Sequence, residues 1–252
     1  MLDEHHGGRL ERLEVDGLDL LVPPELDDHN YGAFPMAPWA GRVRHGRFRF
    51  DGVDYQLPCN HPPHAIHGIV RDRRWRVEAS TRASATLGVA LDAPWPFAGR
   101  VVQHVALRPE ALALTMEVSA ADAPMPVTCG WHPWWYRTPT ARAAPLEVEV
   151  HTDRMYARDE EDIPSGELTP VPPPPWDDCF TDLGDPAAVL TWPSTLTARV
   201  ETDCPCLVVF TEPEHAVCVE PQSGPPDAVN LGVAAVVAPG SSLVVHATVA
   251  WA

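Results

Sequence analysis

The stretch VVQHVALRPEALALTMEV, residues 101–118, contains two runs of alternating residues on either side of a short polar turn. Apolar side chains stand at 101, 105 and 107 in the first run and at 112, 114, 116 and 118 in the second. Successive side chains of a strand point to opposite faces of a sheet, so this period of two predicts two strands that each bury one face. The intervening RPEA predicts that they form an antiparallel hairpin.

Three other stretches repeat this pattern and predict further hairpins. They are RLERLEVDGLDLLV (9–22), RFRFDGVDYQL (47–57) and AAVVAPGSSLVVHATVAW (234–251). The first two contain Asp-Gly, the strongest short-range hairpin signal. The chain has 29 prolines, about twice the usual ~5% frequency, which leaves little room for long helices. Hairpins at short spacing predict an all-β, antiparallel sandwich or barrel.

The longest segment without a strand signal is 153–187, which includes VPPPPWDDCF (171–180). Four consecutive prolines favour an extended, unpaired segment, so Trp176, Asp177 and Asp178 are predicted to lie on a loop. No flexible linker, repeat or charge block interrupts the chain. We therefore expect a single domain over residues 1–252.

Composition excludes several classes of function. The net charge of −17 argues against a nucleic-acid partner, because phosphate binding depends on clustered Lys and Arg. No apolar run approaches the ~18 residues of a membrane helix, and MLDEHHGGRL lacks the apolar core of a secretory signal, so we expect a cytoplasmic protein without a membrane partner. The six cysteines match no standard zinc spacing and are expected to be free, mostly buried thiols.

Two histidine- and arginine-containing clusters are candidate binding elements. Arg42, after a loop broken by Pro and Gly, is either a surface arginine or a guanidinium fork for sugar hydroxyls or a carboxylate. His61, His64 and His67 invite a metal site, but Pro62-Pro63 excludes a helix there and a strand would point i and i+3 to opposite faces. We therefore expect no metal, and His67, before Gly68 and a predicted apolar strand, is the best placed for a site.

Two further clusters are candidate acid and base groups. His132 lies among Trp131, Trp134 and other aromatic residues, and is either a packed histidine or a proton donor in a pocket where aromatic faces stack on a sugar. Glu220 ends the apolar run AVCV (216–219) and precedes a predicted rigid turn. It is either a solvated strand end or a base whose pKa is raised by burial and lowered again by donors such as Gln222.

The sequence contains no nucleotide-binding, acyl-transfer or protease motif. The candidate reactive groups that remain are an acid and a base, and we expect them to act without a cofactor. Three classes of function remain on the residues alone. They are proton transfer on a sugar, glycoside hydrolysis by two carboxylates such as Glu220 and Asp178, and sugar binding without catalysis.

Taken in order, these clusters resemble the aldose 1-epimerase (galactose mutarotase) family over nearly the whole chain. The motifs that show the resemblance are Pro38…Gly41-Arg42, His67-Gly68, Gln103 with Leu107, Gly130-x-His132-Pro133-Trp134-Trp135, Asp178-x-Phe180 and Glu220-Pro221-Gln222…Pro226-Asp227-Ala228…Asn230. HAIHGIV and Trp134-Trp135 depart from the family's usual residues, and the chain is short for the family. These departures bear on the identity of the sugar more than on the chemistry.

The resemblance implies an antiparallel β-sandwich of the galactose mutarotase-like type, with a sugar bound on an open sheet face. It implies that His132 is the general acid, that Glu220 is the general base, and that Arg42, His67 and Asp178 bind hydroxyls. Asp177 is adjacent to Asp178, and either could be the aspartate concerned. Gln222 and Trp134 are also expected to bind the substrate.

The function that follows is interconversion of the α and β anomers of a glucose- or galactose-like aldose by a cofactor-independent isomerase. The expected partner is a monosaccharide, and a homodimer stays open as an assembly state. The alternatives are a non-catalytic carbohydrate-binding protein on the same fold and a hexose-6-phosphate 1-epimerase. With 18 Lys and Arg in the chain, we favour an unphosphorylated sugar.

Overall fold

A computed structural model describes residues 1–140 and 144–252, and their secondary structure is almost entirely strand. In chain order the strands are β1 (Leu2–Asp3), β2 (Arg9–Leu10), β3 (Glu14–Val15), β4 (Leu18–Asp19), β5 (Ala33–Met36), β6 (Arg42–Val43), β7 (Arg47–Phe50), β8 (Val53–Gln56), β9 (Ala65–Ile66), β10 (Arg76–Ser80), β11 (Ser84–Leu91), β12 (Gly99–Arg108), β13 (Ala111–Ala120), β14 (Met125–Val127), β15 (Gly130–Tyr136), β16 (Glu147–Val150), β17 (Arg154–Arg158), β18 (Pro164–Pro170), β19 (Asp177–Thr181), β20 (Ala188–Trp192), β21 (Leu196–Thr202), β22 (Cys206–Phe210), β23 (Ala216–Gln222), β24 (Ala235–Val237) and β25 (Ser242–Trp251). A 3-10 turn (Arg44–Gly46) and a four-residue helix, α1 (Ala228–Leu231), complete the described elements. Neither helical element is long enough to cross a membrane.

Two large antiparallel sheets organise these strands, which confirms the predicted all-β, antiparallel fold. One has nine strands in the order β1-β2-β5-β15-β23-β22-β19-β17-β18. The other has eight in the order β10-β11-β12-β13-β25-β21-β20-β16. Two-stranded sheets such as β3-β4, β6-β9 and β7-β8 extend from them.

The core lies between the inner faces of the two large sheets. Met116 of β13 and Val245 of β25 belong to the same buried cluster as Trp131 of β15 and Val219 of β23. Burial of these apolar side chains is the main stabilising contribution. Polar connections also join the two sheets. The indole Nε1 of Trp131 donates to Gln103 Oε1 at 2.8 Å, and the indole Nε1 of Trp192 donates to the Tyr136 carbonyl oxygen at 2.8 Å.

Three of the four predicted hairpins are confirmed. The turns of β3-β4 and β7-β8 are two-residue Asp-Gly loops with positive φ at both residues, and β12 pairs with β13 along residues 99–120. The fourth prediction, over 234–251, is wrong. β24 pairs with β14, while β25 lies between β13 and β21, so each half of this stretch takes a distant partner.

Segment 153–187 also differs from its prediction, because it contains the strands β17, β18 and β19. Pro164 and Pro170 occupy the ends of β18, an edge strand, where the missing proline N–H removes no ladder bond. Asp177 and Asp178 are the first residues of β19 rather than loop residues. Trp176 precedes that strand.

Two smaller expectations about the candidate site residues are also corrected. Glu220 does not end its strand, since β23 continues through Pro221 to Gln222. His67 follows the short strand β9 and no strand follows it directly. His67 and Gly68 both have positive φ, of 60° and 71°, and Gly68 packs so closely on Ala37 that a Cβ would lie 2.0 Å from the Ala37 carbonyl oxygen. The turn therefore requires glycine, and it fixes the direction of His67.

Candidate active site

The centre of the candidate site is a histidine–glutamate pair on neighbouring strands of the nine-stranded sheet. Gly130 is opposite Gln222 and Trp134 is opposite Cys218, so the register places His132 directly opposite Glu220. The two side chains contact each other, with His132 Nε2 3.1 Å from Glu220 Oε1. Their side chains are only 7% and 3% exposed. The register brings together the expected acid and the expected base.

Close approach of β15 and β23 depends on a glycine at the start of β15. A Cβ on Gly130 would lie 2.1 Å from the carbonyl oxygen of Pro221, a distance that real side chains do not adopt. Gly130 lies two residues before His132, and its lack of a side chain lets β23 approach β15 closely there. This close approach helps to bring Glu220 of β23 into contact with His132 of β15.

Aromatic rings hold the His132 imidazole between them. Phe34 of β5 is opposite His132 and stacks on it at 4.6 Å, and Trp134 stacks at 5.0 Å from the other side. His67 meets the His132 ring edge-on, with 4.9 Å between ring centres. Rings on several sides restrict the imidazole to one orientation, which keeps Nε2 directed at Glu220.

The second carboxylate oxygen of Glu220 is held by an amide on its own strand. Gln222 Nε2 donates to Glu220 Oε2 at 3.0 Å, and the two side chains share a face because they are two residues apart on a strand. Gln222 Oε1 has no hydrogen-bond partner among the described residues. A buried amide oxygen in this condition is a candidate acceptor for a ligand hydroxyl.

The environment shifts both members of the pair toward their neutral forms. Burial raises the pKa of Glu220 well above its usual range, Asp177 raises it further, and Gln222 and Arg42 act in the opposite direction. Burial, followed by the positive charges of Arg71 and Arg9, lowers the pKa of His132 to about 3. In the absence of a ligand the proton therefore resides on the carboxyl group. It can pass to the imidazole along their direct contact, and both arrangements hold the same number of protons.

His67 is neutral for the same reason. Burial lowers the pKa of His67 well below its usual value, and the neighbouring His132 lowers it further. Its Nδ1 has no hydrogen-bond partner in the part of the chain that the structure describes. A neutral imidazole offers one donor and one acceptor, which suits a hydroxyl group.

Arg42 and the aspartates of β19 lie at one end of the site. Arg42 makes a 3.5 Å ion pair with Asp177, and its guanidinium also donates to the carbonyl oxygen of Asp162. Cys179 and Glu220 both pair with Val208, so Asp177, two residues before Cys179, is on the face of the sheet that carries Glu220.

Asp178 is the next residue along β19, so alternation directs its side chain to the opposite face of the strand. The residue nevertheless lines the cavity. It is 3% exposed and lies 3.0 Å from Arg158 Nε. Burial raises the pKa of Asp178, whereas Arg158 lowers it. Both aspartates therefore have a cationic partner, Arg42 for Asp177 and Arg158 for Asp178, and Asp178 Oδ1 makes no hydrogen bond among the described residues. Asp177 differs in sharing a sheet face with the histidine–glutamate pair.

These groups surround an open cavity of about 780 Å³, lined among others by Arg42, His67, His132, Trp134, Glu220 and Gln222. All seven residues predicted from the sequence therefore line the same cavity, Asp178 included. From the sequence the choice between Asp177 and Asp178 stayed open, and Phe34, Arg9 and Arg71, which also line the cavity, were not predicted. Alternation along β19 could have separated the two aspartates, whereas the other three depend on long-range strand pairing.

Three groups of described residues have metal-ligand atoms within 4.8 Å of one another. They are His132, Cys218 and Glu220; His45, His64 and Glu161; and Asp27, Asp28 and His29. In the third group Asp27 already accepts from the backbone N–H groups of His29 and Asn30. Burial raises the pKa of the Cys218 thiol well above its usual value, which disfavours the thiolate that a metal would need. Glu161 is bound by Arg44. Their donor sets therefore favour proton transfer and ion pairing over metal binding.

Comparison with known proteins gives a consistent family. A family model described as aldose 1-epimerase matches residues 5–249. The uncharacterized protein YihR of Escherichia coli (strain K12) is 25% identical over 255 residues, which cover 90% of this chain and 82% of YihR. Galactose mutarotase of Sus scrofa is 27% identical over 154 residues, covering 58% of this chain and 44% of that enzyme.

Solved structures show the same fold. A galactose mutarotase-like protein from Clostridium acetobutylicum superposes with a TM-score of 0.85 at 16% identity, over 100% of this chain and 91% of that one. Galactose 1-epimerase from Lactobacillus acidophilus NCFM superposes with a TM-score of 0.81 at 19% identity, over 98% and 89% of the two chains. At these identities the likeness concerns the fold.

Proposed function

The chain belongs to the aldose 1-epimerase family, and we propose that it interconverts the α and β anomers of an aldose by opening and closing the sugar ring. Glu220 is the general base and His132 the general acid. The observation on which this proposal rests is the 3.1 Å contact of these two buried side chains at the wall of the cavity. A protein that only bound sugar would need the aromatic and hydroxyl-binding groups but no such pair.

Ring opening breaks one bond and moves two protons. The proton shared by the pair first passes from Glu220 to His132, which leaves a carboxylate and an imidazolium. Glu220 then takes the proton from the O1 hydroxyl, the O1–C1 bond becomes a carbonyl, and the C1–O5 bond breaks. The electron pair of that bond goes to O5, which takes a proton from His132. O1 and O5 are both bonded to C1, so two side chains on neighbouring strands can reach them together.

Ring closure runs the same steps in reverse after rotation about the C1–C2 bond, so O5 attacks the other face of the carbonyl. His132 then takes back the O5 proton and Glu220 returns a proton to O1. The pair ends each cycle with the protons it began with, and no other reactant is consumed. Each positioned proton transfer typically contributes ~10²–10⁴-fold in rate.

The remaining residues hold the sugar. Arg42 and Asp177 offer a donor and an acceptor at the Glu220 end, and Asp178 borders the same end. His67 Nδ1 and Gln222 Oε1 are buried polar atoms without partners among the described residues, and ligand hydroxyls would satisfy them. The Trp134 ring lies beside His132, where it can pack against the apolar C–H face of the sugar.

Polarimetry of freshly dissolved α-D-glucose and α-D-galactose tests this proposal. The protein is expected to accelerate the approach to the equilibrium rotation in proportion to its concentration. A disaccharide is the matched control, because a glycosidase would release a second sugar from it. No acceleration on any aldose in a panel of neutral and charged sugars would refute the proposal, and release of monosaccharide would favour hydrolysis instead.

A further inference from the structure

A second pair of charged residues lies at the opposite end of the cavity from Arg42. Arg9 and Arg71 both line the cavity, and both guanidinium groups lie over the Phe34 ring, at 4.9 Å and 5.2 Å from its centre. Acidic residues are present nearby, because Asp28 and Asp72 also line the cavity and Asp3 is opposite Arg9 in the strand register. None of the three forms an ion pair with Arg9, and the Asp3 carboxylate instead contacts His6.

Arg9 is buried and lacks a carboxylate partner. Only 7% of the residue is exposed, and no ion pair of Arg9 occurs within residues 1–140 and 144–252. One terminal nitrogen donates to the Tyr31 carbonyl oxygen at 2.5 Å, and Nε has no partner among those residues. A buried cation without an anion is costly, and stacking on Tyr31 and Phe34 offsets only part of that cost.

Arg71 is also incompletely paired. Its contact with an acid in the described residues is a 3.5 Å approach of Nε to Asp72, whose side chain is 74% exposed. Such an exposed pair contributes little, because water screens it. Two guanidinium groups therefore face one end of the cavity, and their fork geometry matches carboxylate, sulfonate or phosphate oxygens.

The register of the nine-stranded sheet shows which part of a sugar would reach them. His132 is opposite both Glu220 and Phe34, and Leu10 is opposite Ala33, so Arg9 is beside Phe34. The order across the sheet is therefore Glu220, His132, Phe34, Arg9. With O1 at Glu220 and O5 at His132, the next group in the same direction is the substituent on C5, which is C6.

We propose that the preferred substrate is an aldose with an oxyanion at C6, held by Arg9 and Arg71. This inference rests on the proposed function, and it names the substrate class of the same site. Basic residues are few in the chain as a whole, which favoured an uncharged sugar, but the local arrangement of these two arginines favours a charged one. An anion there would also offset the positive field that lowers the pKa of His132. Binding of the correct sugar would thus help His132 become the acid that ring opening requires.

Anomer interconversion measured by NMR on four sugars tests the inference. Glucose is the neutral reference, and glucuronate, 6-deoxy-6-sulfoglucose and glucose 6-phosphate present the three kinds of oxyanion. At least one anionic sugar is expected to exceed glucose by about tenfold or more in kcat/KM, as charge-assisted hydrogen bonds contribute more than neutral ones. The anionic sugar with the largest kcat/KM identifies whether the site prefers a carboxylate, a sulfonate or a phosphate.

Arg71→Gln is the matched variant, because this side chain is 28% exposed and its loss should not prevent folding. It is expected to lower the anionic-to-neutral ratio of kcat/KM by about tenfold. Arg49→Gln, at an arginine whose side chain is 66% exposed, removes the same charge away from the cavity and should leave the ratio unchanged.

The possible failures are distinguishable. If neutral aldoses are interconverted as fast as every anionic one, or if Arg71→Gln leaves the ratio unchanged, the inference is overturned while the proposed function stands. If no sugar of either kind is interconverted, the proposed function fails as well.

Discussion

The central strands of the two large sheets differ in how they bury their faces. β13 of the eight-stranded sheet alternates, with Met116 buried and Glu117 exposed. Every residue of β23 in the nine-stranded sheet is buried, including Glu220 and Gln222. Both strands contribute one apolar face to the same core. The other face of β23 is polar, and it is shielded from bulk water because Glu220 and Gln222 lie in the wall of the cavity.

This difference separates a structural sheet from the sheet that carries the candidate active site. Polar groups on the outer face of the eight-stranded sheet, such as Glu117 and His104, are exposed. On the nine-stranded sheet the same outward direction places a carboxyl group and an imidazole in a desolvated site, where burial makes both neutral. The predictions below test this division.

The largest effect is expected from Glu220→Gln, because it removes the base but retains the shape and the Gln222 contact. The rate of anomer interconversion should fall by about 10²–10⁴-fold, while sugar binding measured by NMR titration changes little. Glu117→Gln is the matched control on the eight-stranded sheet, and it should leave both quantities unchanged. Retention of most of the rate in Glu220→Gln would show that Glu220 is not the base.

A core truncation should show the reverse pattern. Met116 is fully buried between the sheets, and Met116→Ala should lower the free energy of unfolding by about 2–5 kcal/mol. Urea denaturation measures this loss, with Thr115→Ala on the outer face of the same strand as control. The rate per folded molecule should be unchanged. A large rate loss at temperatures where the variant stays folded would mean that the two sheets are not separable in function.

One polar connection through the core gives a smaller effect. Gln103 accepts from Trp131 Nε1 and donates to the carbonyl oxygen of Gly8, both at 2.8 Å. Gln103→Leu leaves the buried indole N–H unsatisfied, which should destabilise the fold by about 1–3 kcal/mol. Double-mutant analysis with Trp131→Phe checks the cause, since the second change should remove part of the penalty. Simple additivity of the two losses would contradict it.

The last two predictions concern pH. Because the folded-state pKa of His132 is lowered to about 3, the stability that this residue contributes is present above its usual value of 6.5 and is lost as pH falls toward 3. The contribution of one proton is about 1.4 kcal/mol per pH unit at most. His132→Gln should therefore flatten the decline of unfolding free energy between these pH values, whereas His104→Gln, an exposed control on β12, should not. An unchanged decline in His132→Gln would mean that this histidine is not buried in its neutral form.

Glu220 has the opposite sign, because its folded-state pKa is raised. Its contribution is complete below the usual value of 4.5 and declines as pH rises through the raised value. The catalytic rate should fall as pH rises through this raised pKa, since loss of the shared proton leaves no acid for O5. A rate that does not change as Glu220 loses its proton would contradict the shared-proton arrangement.

Local patterns in the sequence predicted the parts of the fold that local interactions determine. Asp51-Gly52 and the alternation over 101–118 each specify a turn or a strand without help from the rest of the chain. The prediction for 234–251 was wrong for the opposite reason. The pairing of β24 and β25 is determined by two separate strands that are distant in sequence, β14 and β13. Strand β18 was not predicted because prolines in a sequence usually indicate a loop. They are tolerated in β18 because it is an edge strand.

The candidate site was predictable to the same extent. The residues proposed as acid, base and hydroxyl ligands belong to motifs that are recognisable in the sequence. Arg9 and Phe34 belong to none, and they reach His132 only through the pairing of β2, β5 and β15. The residues from which we infer the substrate class therefore became visible only once the strand order was known.

The central claim is that Glu220 and His132 open the bond between C1 and the ring oxygen, and an isotope measurement tests it most directly. An aldose labelled with ¹³C and ¹⁸O at C1 is equilibrated between its anomers by the protein in ordinary water, and ¹³C NMR follows both anomers and the label. The account predicts accelerated interconversion with ¹⁸O retained at C1 over many turnovers, because the C1–O1 bond never breaks. Loss of the label with each interconversion would show that C1–O1 is the bond broken and would contradict the account.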